Sequence, residues 1–236
     1  MKVVLSIGGS VLAPDLDPER VTEYAAVIGD LAGAHDVGVV VGGGAVARDY
    51  IGAARELGAN EIELDRMGIA TTRLNARLLI AALGDLAART PPTGYADAGE
   101  AMRRGEVPVM GGTHPAHTTD AVSAALAEDT GADLLVYATS VPGVYSDDPK
   151  EHDGAERYGE LTARELVGVI AELEMEAGAS APVDLLAAKI VQRSGLSAIV
   201  MDGSDPTAIR RAVEDGEFEG TRIRPDGAER LAPSDE

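Results

Sequence analysis

Cysteine is absent from this chain of 236 residues. Its absence rules out disulfides, thiolate metal sites and a cysteine nucleophile, and makes a cytoplasmic location the expectation. Tryptophan is also absent, phenylalanine occurs once, and there are only three lysines, Lys2, Lys150 and Lys189. No basic stripe is available to neutralise a phosphate backbone, which argues against nucleic-acid binding. No apolar run approaches the roughly 20 residues that a membrane span needs. The N-terminal MKVVLSIGGS is interrupted by Gly8-Gly9 and lacks a small-residue cleavage site, so it is expected to be a first strand and not a signal peptide. What is plentiful is acid: 40 acidic residues against 20 basic ones give a formal net charge of −20. Disorder is an alternative reading of such charge, but the many apolar strand and helix patterns oppose it. A negative field over the whole surface suits a protein that stays soluble in a high-salt cytoplasm.

Hydrophobic periodicity divides the chain into alternating strands and helices. Strands are expected at 2–7, 37–41, 107–110, 134–138 and 197–201, with 221–224 as a candidate edge strand. Helices are expected at 18–33, 45–57, within 67–86, and at 98–104, 120–130, 162–176, 185–194 and 206–215. Asp17 is a plausible cap before Pro18 at the first helical position. The pattern argues for an α/β three-layer αβα sandwich around a largely parallel sheet. An N-terminal lobe would span 1–130 and a C-terminal lobe 131–225, followed by a frayed polar tail at 226–236.

Three strand–glycine–helix junctions stand out. They are Ile7-Gly8-Gly9-Ser10, Val41-Gly42-Gly43-Gly44, and the stretch VPVMGGTHPAHTTD at 107–120. A strand delivering a polar loop to a helix N-terminus presents backbone N–H groups to an anion. Three such junctions suggest a multiply phosphorylated ligand. With so few cations, backbone N–H groups, a few local basic side chains and Mg²⁺ would have to hold it. The segment 42–47 also satisfies G-x-G-x-x-A, but no clear second strand ending in a ribose-binding acid follows, which weakens a dinucleotide reading. No phosphate-loop motif ending in Gly-Lys-Ser/Thr occurs. His114 and His117 form H-x-x-H, yet no third ligand lies close by in sequence, so polar loop contacts are the stronger reading.

Five segments carry a family resemblance: VVLSIGGSVL, VVVGGGAVARDYI, PVMGGTHPAHTTDA, DLLVYATSVPGVYSDDPK and LLAAKIVQRSGL. In this order and spacing the chain resembles the archaeal-type uridylate kinases of the amino acid kinase superfamily, from Lys2 to about Arg224. The resemblance implies a cytoplasmic enzyme of pyrimidine nucleotide synthesis that moves the γ-phosphate of ATP to UMP. UMP would sit mainly in the N-terminal lobe and ATP, carrying Mg²⁺, mainly in the C-terminal lobe, with no metal held directly by the protein. It also implies a homohexamer built as a trimer of dimers.

Phosphoryl transfer needs alignment and charge neutralisation more than covalent chemistry. Gly9, Ser10, Gly43 and Gly44 would allow close backbone approach to the transferring group. Arg48, one turn into its helix, can reach a phosphate. By resemblance, Asp65, Gly43, Thr113, His114, Pro115, Ala116, His117, Thr118 and Thr119 would hold UMP. Thr139, Tyr145 and Asp148 would border the ATP base and ribose, beside Gly9, Ser10, Gly44 and Arg48. Lys189 stands where many relatives place a lysine on the transferring group. Ser6 departs from the superfamily pattern, which often has a lysine there. Lys189, Arg48 and Mg²⁺ would then cover more of the charge. Ser140 and Pro142 also stand where relatives often carry Asn or Asp, so either the geometry differs locally or part of the organising role lies elsewhere, at Asp120. Rival readings are another small-acceptor kinase of this fold, acting on acetylglutamate, carbamate or isopentenyl phosphate, or a non-catalytic nucleotide-binding subunit.

Overall fold

The computed structural model describes residues 1–147, 149, 152, 154–173 and 182–227. Its strands are β1 (Lys2–Ile7), β2 (Asp36–Val41), β3 (Val109–Met110), β4 (Leu134–Thr139), β5 (Glu160–Thr162), β6 (Ala198–Asp202) and β7 (Gly220–Arg224). The helices are α1 (Gly9–Leu12), α2 (Pro18–Ala32), α3 (Gly44–Glu56), α4 (Glu61–Leu83), α5 (Tyr95–Arg103), α6 (Thr119–Thr130), α7 (Ala163–Leu173), α8 (Leu185–Ser194) and α9 (Pro206–Glu214). One sheet of seven strands runs in the order β3-β2-β1-β4-β6-β7-β5. All of its pairings are parallel except β6 with β7.

Alternation along β1 explains the three layers. Val3, Leu5 and Ile7 face a core built with Leu31 of α2, Leu79 of α4 and Ile209 of α9. Val4 faces the opposite core, with Ala98 of α5, Leu126 of α6, Leu166 of α7 and Ala188 of α8. Because successive side chains point to opposite faces, a strand buried on both sides reads as a continuous apolar run. The chain leaves β1 towards β2 and β3, then returns to β4 on the other side of β1. That reversal opens a crevice at the carboxyl ends of β1 and β4, the place where open α/β sheets bind ligands.

Several expectations shift. The helix expected within 67–86 starts at Glu61, because Asn60 and Glu63 form a reciprocal cap: the Asn60 side chain accepts from the Glu63 amide at 3.1 Å and the Glu63 carboxylate from the Asn60 amide at 2.9 Å. Asp65 therefore lies in the second turn of α4 and does not cap it. The candidate edge strand is interior: β7 is flanked by β6 and by the three-residue β5, which is too short to show a period. Asp226 is not frayed. It accepts from the Arg164 amide at 2.9 Å and from the Gln192 side chain at 3.1 Å. The remainder of the expected tail, 228–236, lies outside the described residues. Among the described residues no helix is long and apolar enough to cross a membrane.

Candidate active site

Two glycine loops meet at the crevice. A Cβ on Gly9 would lie 2.3 Å from the Gly44 nitrogen and 2.5 Å from the Gly42 oxygen. Gly44 has φ +65°, and a Cβ there would fall 2.7 Å from the Gly9 carbonyl carbon. These glycines are thus required by the packing of one loop against the other, which brings the first turns of α1 and α3 side by side. Asn75 of α4 braces the second loop from beneath, donating to the Gly42 carbonyl at 2.8 Å.

Two cavities border this junction. One, of about 200 Å³, lies between α3, α4 and the loop before α6, and is lined by Asp65, Ile69, Thr72, His114 and His117. The other, of about 310 Å³, lies over the ends of β1 and β4, with Ser10, Arg48, Asp120, Thr139 and Pro182 on its walls. Gly43, Gly44, Thr118 and Thr119 line both. The cavities therefore adjoin through the second glycine loop and the N-terminus of α6.

Hydrogen bonds from α4 shape the first cavity. Asp65 accepts from the Ala116 amide at 2.7 Å, and Ala116 holds a positive φ of 65°. Fixing a non-glycine residue in this sparsely populated region needs such a tether. The Thr72 hydroxyl accepts from the Gly112 amide at 2.7 Å and donates to the Ile69 carbonyl at 2.7 Å. Pro115 belongs to the same loop, partly buried. The Thr113 hydroxyl is enclosed and without a hydrogen-bond partner. The His114 and His117 rings meet edge-on, 5.9 Å between centroids. Among the described residues they belong to no group of three potential metal ligands.

Electrostatics dominate the second cavity. Asp120, in the first turn of α6, has its pKa pushed up to about 7, chiefly by desolvation and then by the nearby Asp184 carboxylate, with the Ser6 hydroxyl opposing. Ser6 is 3 % exposed, and its hydroxyl lies 3.3 Å from Asp120 Oδ1. Tyr137 of β4 is buried beside this pair, and burial together with both carboxylates holds its hydroxyl well above the usual tyrosine range. The exposed Arg48 is the sole lysine or arginine on the walls of either cavity among the described residues.

Some expected site residues fall elsewhere. Lys189 is exposed on the second turn of α8 and lines neither cavity. Ala187, Ala188, Ile190 and Val191 of the same helix turn into the core. The alanine-rich, apolar run around Lys189 reflects that packed face, and the lysine itself points away from it. Tyr145 is partly buried, bridges to Arg157 and lines neither cavity. Asp148 lies outside the described residues. The dinucleotide reading of 42–47 loses its remaining support, because α3 leads into α4 and not into a strand. Asp184, Asn75 and Thr72 escaped sequence reasoning. An aspartate just before an apolar-periodic run was a usable cap signal for Asp184. A buried asparagine or threonine inside a helix pattern gives no such cue.

A glycine-lined crevice at the switch point of a parallel sheet, with two adjoining cavities, defines a small-molecule transfer site. The chain belongs to the amino acid kinase family, whose family model matches residues 1–202. Among curated relatives it is 66 % identical to the uridylate kinase of Haloarcula marismortui, over 96 % of this chain and 100 % of that one. It is 64 % identical to the uridylate kinase of Halobacterium salinarum, over 97 % and 95 %. The crystal structure of uridylate kinase from Archaeoglobus fulgidus superposes with a TM-score of 0.85 at 48 % identity, covering 94 % of this chain and 100 % of that one.

Proposed function

We propose that this chain transfers the γ-phosphate of ATP to UMP, giving ADP and UDP, as a cytoplasmic step of pyrimidine nucleotide synthesis. The observation that carries the reading is the adjoining of two cavities at one glycine junction, since in-line transfer needs acceptor and donor end to end. UMP occupies the cavity beside α4, within the lobe 1–130, against Gly43, Asp65 and the loop 113–119. ATP enters over β1 and β4 and extends into the lobe 131–225, against Gly9, Ser10, Gly44, Arg48 and Thr139. The names of the curated relatives favour UMP over acetylglutamate, carbamate or isopentenyl phosphate as acceptor.

Backbone amides at the starts of α3 and α6 face the phosphates, and Arg48 supplies the fixed cation on the walls. Asp120, with a pKa pushed up to about 7, is partly protonated at neutral pH, which softens its repulsion of an incoming phosphate. Mg²⁺ carried by ATP would supply further charge neutralisation at the phosphates, beside Arg48 and the backbone amides. The lining of the ATP cavity suits a metal–nucleotide complex: the Ser10 and Thr139 hydroxyls are hard oxygen groups, and the backbone amides are donors for the phosphate oxygens that carry the ion. The subunits assemble as a hexamer, a trimer of dimers. In support, α3 exposes Tyr50, α4 exposes Leu74, and Leu57, just past the end of α3, is 88 % exposed.

Release of ADP from MgATP, measured with and without UMP from dilute buffer to molar KCl, tests the reading. UMP-dependent turnover that is best at high salt is expected. Turnover no faster than ATP hydrolysis without UMP, across that range, would overturn it.

A further inference from the structure

Asp184 lies at the start of α8, two residues after Pro182 on the wall of the ATP cavity. Its Oδ1 accepts from the Ala187 amide at 3.0 Å, which caps α8. Its Oδ2 accepts from the hydroxyl of Thr118, 66 residues earlier in the chain. That same hydroxyl oxygen accepts from the Ala121 amide at 3.0 Å and so caps α6. The proton count is consistent. Thr118 has one hydroxyl proton, which goes to Asp184, and keeps a lone pair for Ala121. Asp184 accepts at both oxygens and is used as a carboxylate. Two helix N-termini from opposite halves of the chain are thereby joined through one side chain. Thr118 also ends the loop 113–118, whose other tether is the bond from Asp65 to Ala116. Asp120, two residues further on, feels the Asp184 charge directly.

We propose that Asp184 is a positioning residue that locks the acceptor loop to the donor-side helix through Thr118, so that acceptor and donor cavities keep one alignment. The proposal rests on the kinase reading above for its effect on turnover, and on geometry alone for its effect on the loop. Two helices capped by independent side chains could slide past each other. Capped through a shared hydrogen bond, they move together. A misplacement of about 1 Å between reacting groups can cost on the order of 100-fold in rate.

Asparagine at 184 discriminates well. Its carbonyl oxygen still caps α8, since asparagine caps as well as aspartate does. Its amide nitrogen cannot accept from Thr118 and can offer only the reverse, neutral bond to the hydroxyl oxygen, a weaker link than the charge-assisted one it replaces. Asp184→Asn is therefore expected to keep the thermal midpoint near that of the parent while lowering the turnover number about tenfold or more. Thr118→Val should lower it comparably, and Thr118→Ser, which restores the hydroxyl, should return most of the rate. The double variant Asp184→Asn/Thr118→Val should be no worse than Thr118→Val alone, because Thr118→Val already removes the shared bond together with the α6 cap. Hydrogen exchange supplies a readout independent of chemistry. In Asp184→Asn the amides of His114, Ala116, His117, Thr118 and Ala121 should exchange about tenfold faster or more, with the Ala187 amide still protected. If the parent enzyme shows no UMP turnover, the kinase reading fails and hydrogen exchange alone decides the link. Should Asp184→Asn fail to fold, the Thr118→Val and Thr118→Ser pair decides it in the same way. Single effects that multiply in the double variant, or a loop whose exchange is unchanged in Asp184→Asn or Thr118→Val, overturn the proposal.

Discussion

The two cavities are built on different physics. On the acceptor side, hydrogen bonds set the shape: Asp65 to Ala116, Thr72 to Gly112, and Asn75 under the glycine loop. On the donor side, the half-buried Asp120 carboxylate, the Asp184 carboxylate near it and one arginine set the field. Short-range directional bonds are well suited to recognising a rigid nucleoside, because a misfitting ligand leaves buried polar groups unpaired. Charges act where charge moves, along the phosphates. Damage on the acceptor side should therefore appear as weakened UMP binding, and damage on the donor side as lost turnover or as pH-dependent stability.

Arg48→Ala should break the donor side most severely, lowering the turnover number by about 100-fold or more, the order expected for a lost preorganised electrostatic contact. Arg48 is exposed and among the described residues its side chain makes no hydrogen bond or ion pair that could be lost, so thermal denaturation should show an unchanged midpoint. Arg48→Lys should restore only part of the rate, because a compact ammonium does not replace a planar fork. Steady-state kinetics with saturating MgATP and UMP checks both. Turnover close to that of the parent would shift charge neutralisation onto backbone amides and Mg²⁺.

Asp65→Asn should raise the Michaelis constant for UMP about tenfold and leave that for ATP nearly unchanged. One charge-assisted hydrogen bond is worth about 1.5–3 kcal/mol, and the amide keeps only one acceptor. Varying each substrate in turn measures the ratio of the two effects. An effect confined to ATP would move Asp65 out of the acceptor site and erase the contrast between the cavities.

Asp120 tests the donor-side field without any substrate. Its folded pKa, about 7, lies above the ordinary carboxylate value, so the folded state binds the proton more tightly than the unfolded state does. Stability from this group is then fully present below about pH 4 and is lost as the pH rises through about 7. Asp120→Asn, which never ionises, should stabilise the protein by about 1 kcal/mol or more at pH 8 and hardly at all at pH 4. Denaturant unfolding of both proteins at the two pH values reads the difference. An equal effect at both would mean that the pKa of Asp120 is the same in the folded and unfolded states.

Lys189→Ala should give the smallest change, with turnover within about twofold of the parent, since a solvated side chain outside both cavities has little leverage on the transition state. A loss as large as that of Arg48→Ala would show that Lys189 swings into the crevice when substrates bind, and the donor side would then hold two cations.

Much of the fold was legible because its causes are local. Apolar runs marked β1, β2 and β4, Asp17-Pro18 marked the start of α2, and glycines marked the loops at the strand ends. The acidic excess and the lack of cysteine were legible for the same reason, being properties of composition. The candidate site was legible in outline, as loops expected to hold phosphates. The position of Lys189 was not legible, because an apolar helix start looks the same whichever side of it faces the crevice, and only the packing of α8 on α6 and α7 leaves that side chain exposed outside both cavities. The Asn60 cap moved the start of α4, and with it Asp65, through a side-chain geometry that asparagine adopts in many other settings.

What the sequence determined by itself is the class of fold, the three glycine junctions and the sign of the surface field, all carried by neighbours in the chain or by sums over it. The tertiary structure alone decided that Gly9 packs on Gly44, that Thr118 meets Asp184, and that the Asp184 carboxylate lies near Asp120 on the cavity wall. Those pairs are separated by tens of residues. Their meeting depends on strand order and on the register of β1 against β2 and β4, and hydrogen bonds and desolvation act only at the distances that the fold creates.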